Sequence, residues 1–229
     1  MVSDTQITVL LEDTAVESLS NYVTTEARSS GELLKFARQM ATAIDYFERT
    51  KFIHKKLSLD VCLLTANKML KVSCRLWSFN WADSKENLYG RRGTMSKDQL
   101  TCAFIAPTTG FRWMPWECLK GCDGSEPDPY DQPAVIWTLA TMIWSMFHRA
   151  AIPFENETVA EIRSRAYRKD ATLDVIEELL PTGMLEVRVN FSLLQSCWAE
   201  RSKRPTSRIV LKTLKKLEQQ CSTEQLARS

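Results

Sequence analysis

Residues Pro133–Phe147 read PAVIWTLATMIWSMF, a run that is apolar on nearly every side of a helix. A helix without a polar face has to be enclosed by the rest of its chain or by lipid. Ala134–Phe147 is too short and too interrupted by hydroxyls to span a bilayer, so enclosure by protein is expected. The 229 residues, 44% hydrophobic and 25% charged, are ample for such a core. The first candidate to cover the helix follows Ser29-Ser30-Gly31-Glu32, which fits a capping box with Ser29 as cap and Glu32 reaching back. Leu33, Phe36, Ala37, Met40, Ile44 and Phe47 then recur at spacings of three and four, one face of a helix of about four to five turns.

The remaining elements are shorter. Ile7–Leu11 reads as a strand, Glu12-Asp13-Thr14 as a break, and Glu17–Val23 as a short helix. Val61–Leu64 and Met69–Val72 form a hairpin across the turn Ala66-Asn67-Lys68. Ser78–Thr101 is a polar loop centred on Gly90-Arg91-Arg92-Gly93, and its Tyr89 reads as a solvated tyrosine or a phosphorylation site. The Pro- and Asp-rich Gly121–Gln132 reads as a surface loop. Asn156 is expected to cap a helix ending near Tyr167, and Asn190 one ending near Ala199. Pro205–Gln219 is the last helix, with Ile209, Val210, Leu214 and Leu217 inward and Lys212, Lys215 and Lys216 on a solvated face. Seven cysteines without a CxxC pair, and only His54 and His148 as histidines, argue against a disulfide framework and a zinc site. Reduced thiols follow, and no metal or other cofactor is expected. A net charge of +2 implies no strong field for nucleic acid. Met1-Val2-Ser3-Asp4 lacks the basic start and apolar run of a secretory leader, which makes a cytoplasmic location the expectation.

Four blocks stand in a fixed order. Phe52–Leu76 reads FIHKKLSLDVCLLTANKMLKVSCRL, and Phe111–Glu117 reads FRWMPWE. Trp137 and Trp144 lie within the apolar run, and Cys197-Trp198 is followed by Arg204-Pro205. Together these resemble the large lobe of a protein tyrosine kinase over roughly Ile7 to Glu218, closest to the catalytically degenerate receptor-type members. The first block is similar to the H-R-D-L-x-x-x-N loop followed by D-F-G. Its Lys56 and Cys74 are separated by the interval expected between the two aspartates (74 − 56 = 18). The second block is similar to K/R-W-M-A-P-E, with Pro115-Trp116 where Ala-Pro is usual. The last is similar to C-W…R-P, one residue shorter.

The resemblance implies a mainly α fold: a protein-kinase-like large lobe with a short β-hairpin, and a small lobe essentially absent. Residues 1–14 would be the last small-lobe strand and hinge, with Leu11 as gatekeeper. Residues 15–219 would be the large lobe with a long loop at 77–110, and 220–229 a tail. No Gly-rich phosphate loop, VAIK lysine or partner glutamate has a counterpart in the sequence. His54, Trp113, Glu117, Trp137, Trp198 and Arg204 fall on structural positions, and Glu117 is implied to pair with Arg204 in the interior. Val135 replaces the aspartate that tethers the catalytic loop.

The catalytic positions fare differently. The base position holds Lys56, a cation that cannot accept a proton at neutral pH without a large pKa depression. The metal positions hold Val61, which has no ligand oxygen, and Cys74, a soft sulfur where magnesium wants carboxylate. The implied reading is a non-enzymatic scaffold or regulator in signalling that binds other proteins, an active kinase or receptor among them. It would touch a membrane only as part of a longer receptor chain. Two other readings stand beside it: a truncated fragment or isoform of a receptor tyrosine kinase-like protein, and an enzyme whose groups have moved to Asp60 or Asp83.

Overall fold

The structure, a computed structural model, describes residues 15–73, 110–119, 127–158, 161 and 191–226. The expected strand Ile7–Leu11, the gatekeeper position Leu11, Cys74, Asp83, Tyr89, most of the loop 77–110, Asn190 and the helix expected to end near Tyr167 lie outside them. The described chain is mostly helical with one small sheet.

The apolar run forms helix α3, Gln132–Phe147, and every side chain from Ala134 to Phe147 is buried. Against it pack α1 (Leu19–Thr25), α2 (Ser30–Arg49) and α4 (Phe191–Cys197), while α5 (Ser207–Leu226) packs along α2, and all share one apolar cluster with α3. Three buried hydroxyls interrupt the run without polar cost because each finds a nearby carbonyl. Thr138 reaches the carbonyls of Ala134 and Trp113 (3.1 and 3.0 Å), Thr141 that of Trp137 (3.1 Å) and Ser145 that of Ala151 (2.7 Å). Among the described residues, no helix is long and apolar enough to cross a membrane.

Helix α2 buries Leu33, Phe36, Ala37, Met40 and Ile44, with Phe47 partly buried against the same cluster. Ser29 caps it, accepting from the Glu32 amide at 3.2 Å. The second half of the expected box does not form. The Glu32 carboxylate turns to the Tyr22 hydroxyl (2.7 Å) and Lys68 Nζ (3.4 Å), joining α1, α2 and the hairpin turn. Asp45 and Glu48 at the other end receive the Ser207 hydroxyl (3.4 Å) and amide (3.1 Å). Two carboxylates thus sit at the positive N-terminus of α5, where the helix dipole favours them. Arg38 pairs with Glu218 further along the same contact.

The hairpin is present as β2 (Cys62–Thr65), shifted one residue along the chain from the expected Val61–Leu64, and β3 (Leu70–Val72), which starts one residue after the expected Met69, with Val61 in a short 3₁₀ turn instead. It belongs to a three-stranded antiparallel sheet. β1 (Ala15–Ser18) pairs with β2, Ser18 opposite Leu63 and Glu17 opposite Leu64, with a bulge before Ala15 meets Thr65. The expected helix Glu17–Val23 therefore begins later, at Leu19, and Ser18 caps it by accepting from Asn21 (3.2 Å). Lys68 closes the β2–β3 turn in the left-handed region, φ 54°, donating its amide to the Thr65 carbonyl (2.9 Å).

The buried Gln39 of α2 ties the sheet to the helices by accepting from the Leu70 amide at 2.7 Å. Gln39→Leu keeps the volume but removes that acceptor. A loss of about 1–3 kcal/mol is expected in urea melts, the cost of stranding a buried donor.

Three further expectations change. The capping contacts to Glu161 come from Thr158 and not Asn156: Thr158 Oγ1 accepts from the Glu161 amide (3.2 Å) while the Glu161 carboxylate accepts from the Thr158 amide (2.7 Å). α5 runs Ser207–Leu226, not Pro205–Gln219, so the expected tail 220–229 is helical as far as Leu226. Its buried apolar residues are Val210, Leu211, Leu214 and Cys221, whereas Ile209 is 55% exposed. At about 100° per residue, Val210, Leu214, Leu217 and Cys221 align as one stripe and Ile209 falls beside it.

Candidate functional site

The loop 54–61 leaves α2 through a turn that the sequence makes without glycine. Lys51 adopts the left-handed conformation, φ 56°, and the Phe52 amide reaches back to the Phe47 carbonyl at 2.9 Å. The Phe52 ring lands on Phe47, centroids 5.1 Å apart, the apolar contact that accompanies such helix ends. His54 follows, buried and stacked on Phe47 at 6.0 Å. Its Nδ1 accepts from the Lys56 amide (3.3 Å), which places the ring proton on Nε2, and Nε2 donates to the Ser73 carbonyl (3.0 Å). Leu57 and Leu59 bury their side chains and pin the loop to the core.

Ser73 also donates its amide to the Val61 carbonyl at 2.8 Å. One backbone unit therefore holds both ends of the loop: position 56 through His54, and position 61 directly. No sequence signal marks Ser73, because its part is played by main-chain atoms. It lies immediately before Cys74, which is outside the described residues.

The loop's side chains do not offer what its frame positions. Lys56 is exposed and Val61 half-buried. An ammonium carries three donors and no acceptor, and an isopropyl group coordinates nothing. Asp60, beside Val61, is exposed. Among the described residues, no group of three or more His, Cys, Asp or Glu is placed to hold a metal ion. Burial pushes the thiols of Cys62, Cys118 and Cys197 up to about 12, which removes them as nucleophiles near neutral pH.

Glu117 and Arg204, 87 positions apart (204 − 117 = 87), are brought together. Pro115 leads into the short turn Trp116–Cys118, which aims the Glu117 carboxylate at a guanidinium whose side chain is fully out of solvent. Both carboxylate oxygens are used, Nη1 to Oε1 at 2.5 Å and Nη2 to Oε2 at 3.0 Å. Arg204 also donates Nε to the Ala199 carbonyl (2.9 Å) and Nη1 to that of Pro133 (3.2 Å), and lies over the Trp137 ring at 5.0 Å. Trp116 meets Trp137 edge-on at 4.8 Å. One arginine thus joins the 115–118 turn, the start of α3 and the segment after α4.

Two other structural positions, Trp198 and Trp113, are tied to α3. Trp198 is buried and donates Nε1 to Thr141 Oγ1 (3.1 Å) on α3. The Trp113 carbonyl accepts from Thr138, and Arg112 reads the carbonyls of Phe154 and Glu157, so the 110–113 turn is anchored on both sides. Val135 is buried in α3 with no polar group to offer the loop.

The sequence profile of the family described as protein tyrosine and serine/threonine kinase matches residues 1–217. Fer-related kinase 1 of Caenorhabditis elegans is 24% identical over 185 residues, 81% of this chain and 39% of that protein. Megakaryocyte-associated tyrosine-protein kinase of Rattus norvegicus is 26% identical over 211 residues, covering 90% and 38%. Tyrosine-protein kinase-like otk of Drosophila willistoni is 22% identical over 197 residues, covering 85% and 16%. The chain therefore spans less than two-fifths of the length of each of these relatives.

Proposed function

The chain belongs to the protein tyrosine and serine/threonine kinase family, and we propose that it is a catalytically inactive member, a pseudokinase that works as a scaffold or regulator by binding other proteins. The observation that carries this is the contrast inside loop 54–61. Its backbone is fixed by His54 and Ser73, while the side chain at the proton-accepting position is the exposed cation Lys56. Kinase chemistry is positioning plus charge stabilisation, with an aspartate taking the hydroxyl proton and an asparagine and aspartate holding magnesium. Lysine at 56 and valine at 61 supply neither group. The Glu117–Arg204 pair and the enclosed α3 serve the fold, and a fold that persists without chemistry retains a surface for partners. Partners of this class include an active kinase or receptor, and the proposed setting is the cytoplasm.

A second reading has its own support. Because the chain spans 39%, 38% and 16% of three relatives, it also fits as a fragment or isoform of a larger receptor-like kinase chain. The transcript sequence adjoining the coding region distinguishes the two.

The proposal is tested by magnesium-ATP binding. A ligand present at a hundred times its Kd stabilises by about 2.7 kcal/mol, and a domain of this size gains about 2–4 °C per kcal/mol. No rise in Tm beyond that with magnesium alone is expected. A rise of several degrees that requires both magnesium and ATP would overturn the assignment of Lys56 and Val61 as disabling.

A further inference from the structure

Between Glu200 and Glu218 the sequence carries seven cations and no acid. Three are engaged: Arg201 with Asp131, Lys203 with Glu200 and Arg204 with Glu117. The other four, Arg208, Lys212, Lys215 and Lys216, are all exposed on α5. Among the described residues, no ion pair involves any of them. At about 100° per residue they gather on the side of α5 opposite its buried stripe of Val210, Leu214 and Cys221, over about 12 Å of axis. The chain's net charge is only +2, so this ridge is a local concentration and not a share of a generally basic surface.

A second feature lies along one flank of the ridge. An open surface recess of about 480 Å³ is lined along one side of α5 by Lys212, Thr213, Lys216, Leu217 and Gln220. Ile209, 55% exposed, lies on the same flank one turn earlier. Cations and an apolar recess are therefore side by side, with Lys212 and Lys216 belonging to both.

We infer that this face of α5 docks an acidic protein segment that carries apolar residues between its carboxylates. The carboxylates meet the ridge, and an apolar side chain enters the recess beside Leu217. Charge complementarity selects the sign of the partner. The recess selects a peptide over an anionic bilayer, because an interfacial helix binds by pushing several of its own apolar side chains into lipid, and among the described residues of α5 Ile209 is the one large apolar side chain that is exposed. The inference deepens the interaction role proposed above and rests on it for its biological meaning. The binding is measured without nucleotide, so its outcome is independent of whether the chain transfers phosphate.

The test uses fluorescence anisotropy with the full chain and a labelled synthetic peptide of glutamate and alanine with leucine at every fourth position. Saturable binding that weakens with added salt is expected. The double variant Lys212→Glu/Lys216→Glu should weaken it about tenfold, against less than about twofold for Lys35→Glu/Lys55→Glu, which makes the same change in net charge elsewhere. Replacing leucine by serine in the peptide should also weaken it. Thermal melts of both double variants check that the fold is kept. The inference is overturned by absence of saturable peptide binding, by equal losses in the two double variants, or by binding confined to phosphatidylserine vesicles or duplex DNA.

Discussion

Replacing Arg204 by alanine should destabilise the chain by about 3–5 kcal/mol, a large share of the 5–15 kcal/mol that holds a typical domain together. The cost comes from what is left behind. Glu117 keeps a carboxylate with a side chain only 13% exposed, and loses both donors that satisfy it. The Ala199 and Pro133 carbonyls lose a donor as well, and the face of Trp137 loses the guanidinium that covers it. Glu117→Ala should cost a similar amount by stranding the buried guanidinium. The double substitution should cost less than the sum of the two, because removing the second partner relieves the charge that the first removal exposed. Arg208→Ala, on the exposed face of α5, is the reference and should change stability by no more than about 0.5 kcal/mol. Urea melts of the four variants decide it. If Arg204→Ala melts like Arg208→Ala, the pair does not hold the fold together.

The second large effect is expected at Trp198, which is 1% exposed. Trp198→Ala removes the indole from the contact between α4 and α3 and should cost about 3–5 kcal/mol, the lost burial plus the cavity that remains. Trp198→Phe separates shape from polarity. It keeps most of the ring contact but removes the Nε1 donor to Thr141, whose hydroxyl can still donate to the Trp137 carbonyl. Because Thr141 is not stranded, the hydrogen-bond part should be about 1 kcal/mol. The order Ala well below Phe, with Phe just below wild type, is the predicted result by urea melts. Equal losses would mean that the hydrogen bond, and not the packing, holds α4 in place.

The parts of the fold legible in the sequence are those in which a local pattern has one physical solution. A helix apolar on every face has to be central, and α3 is. The stripe from Leu33 to Ile44 has one buried face, and α2 buries it. Glu117 and Arg204 were readable as a pair only through the resemblance, since nothing local links positions 87 apart. β1 was missed because its residues Ala-Val-Glu-Ser show no strand pattern of their own and Val16 is 66% exposed; it is a strand because β2 offers it an edge. Thr158 was missed although Thr158-Val159-Ala160-Glu161 is a capping-box sequence, because Asn156 competes for the same role by residue type. Glu32 fits its box equally well on paper, yet Tyr22 and Lys68 offer its carboxylate better partners from elsewhere in the fold. The candidate site divides the same way. The identities of Lys56 and Val61 were readable, but the main-chain unit at Ser73 that holds them in register was not.

As the pseudokinase proposed above, this chain would keep a kinase frame without phosphoryl transfer. The most direct test is incorporation of label from γ-labelled ATP, with magnesium, into a glutamate–tyrosine copolymer and into the chain itself, using purified protein shown to melt cooperatively. The predicted result is no incorporation above a protein-free control for the wild type. Incorporation that rises with wild-type concentration and disappears in Lys56→Ala would contradict it, and would make Lys56 a working residue and not a disabling one.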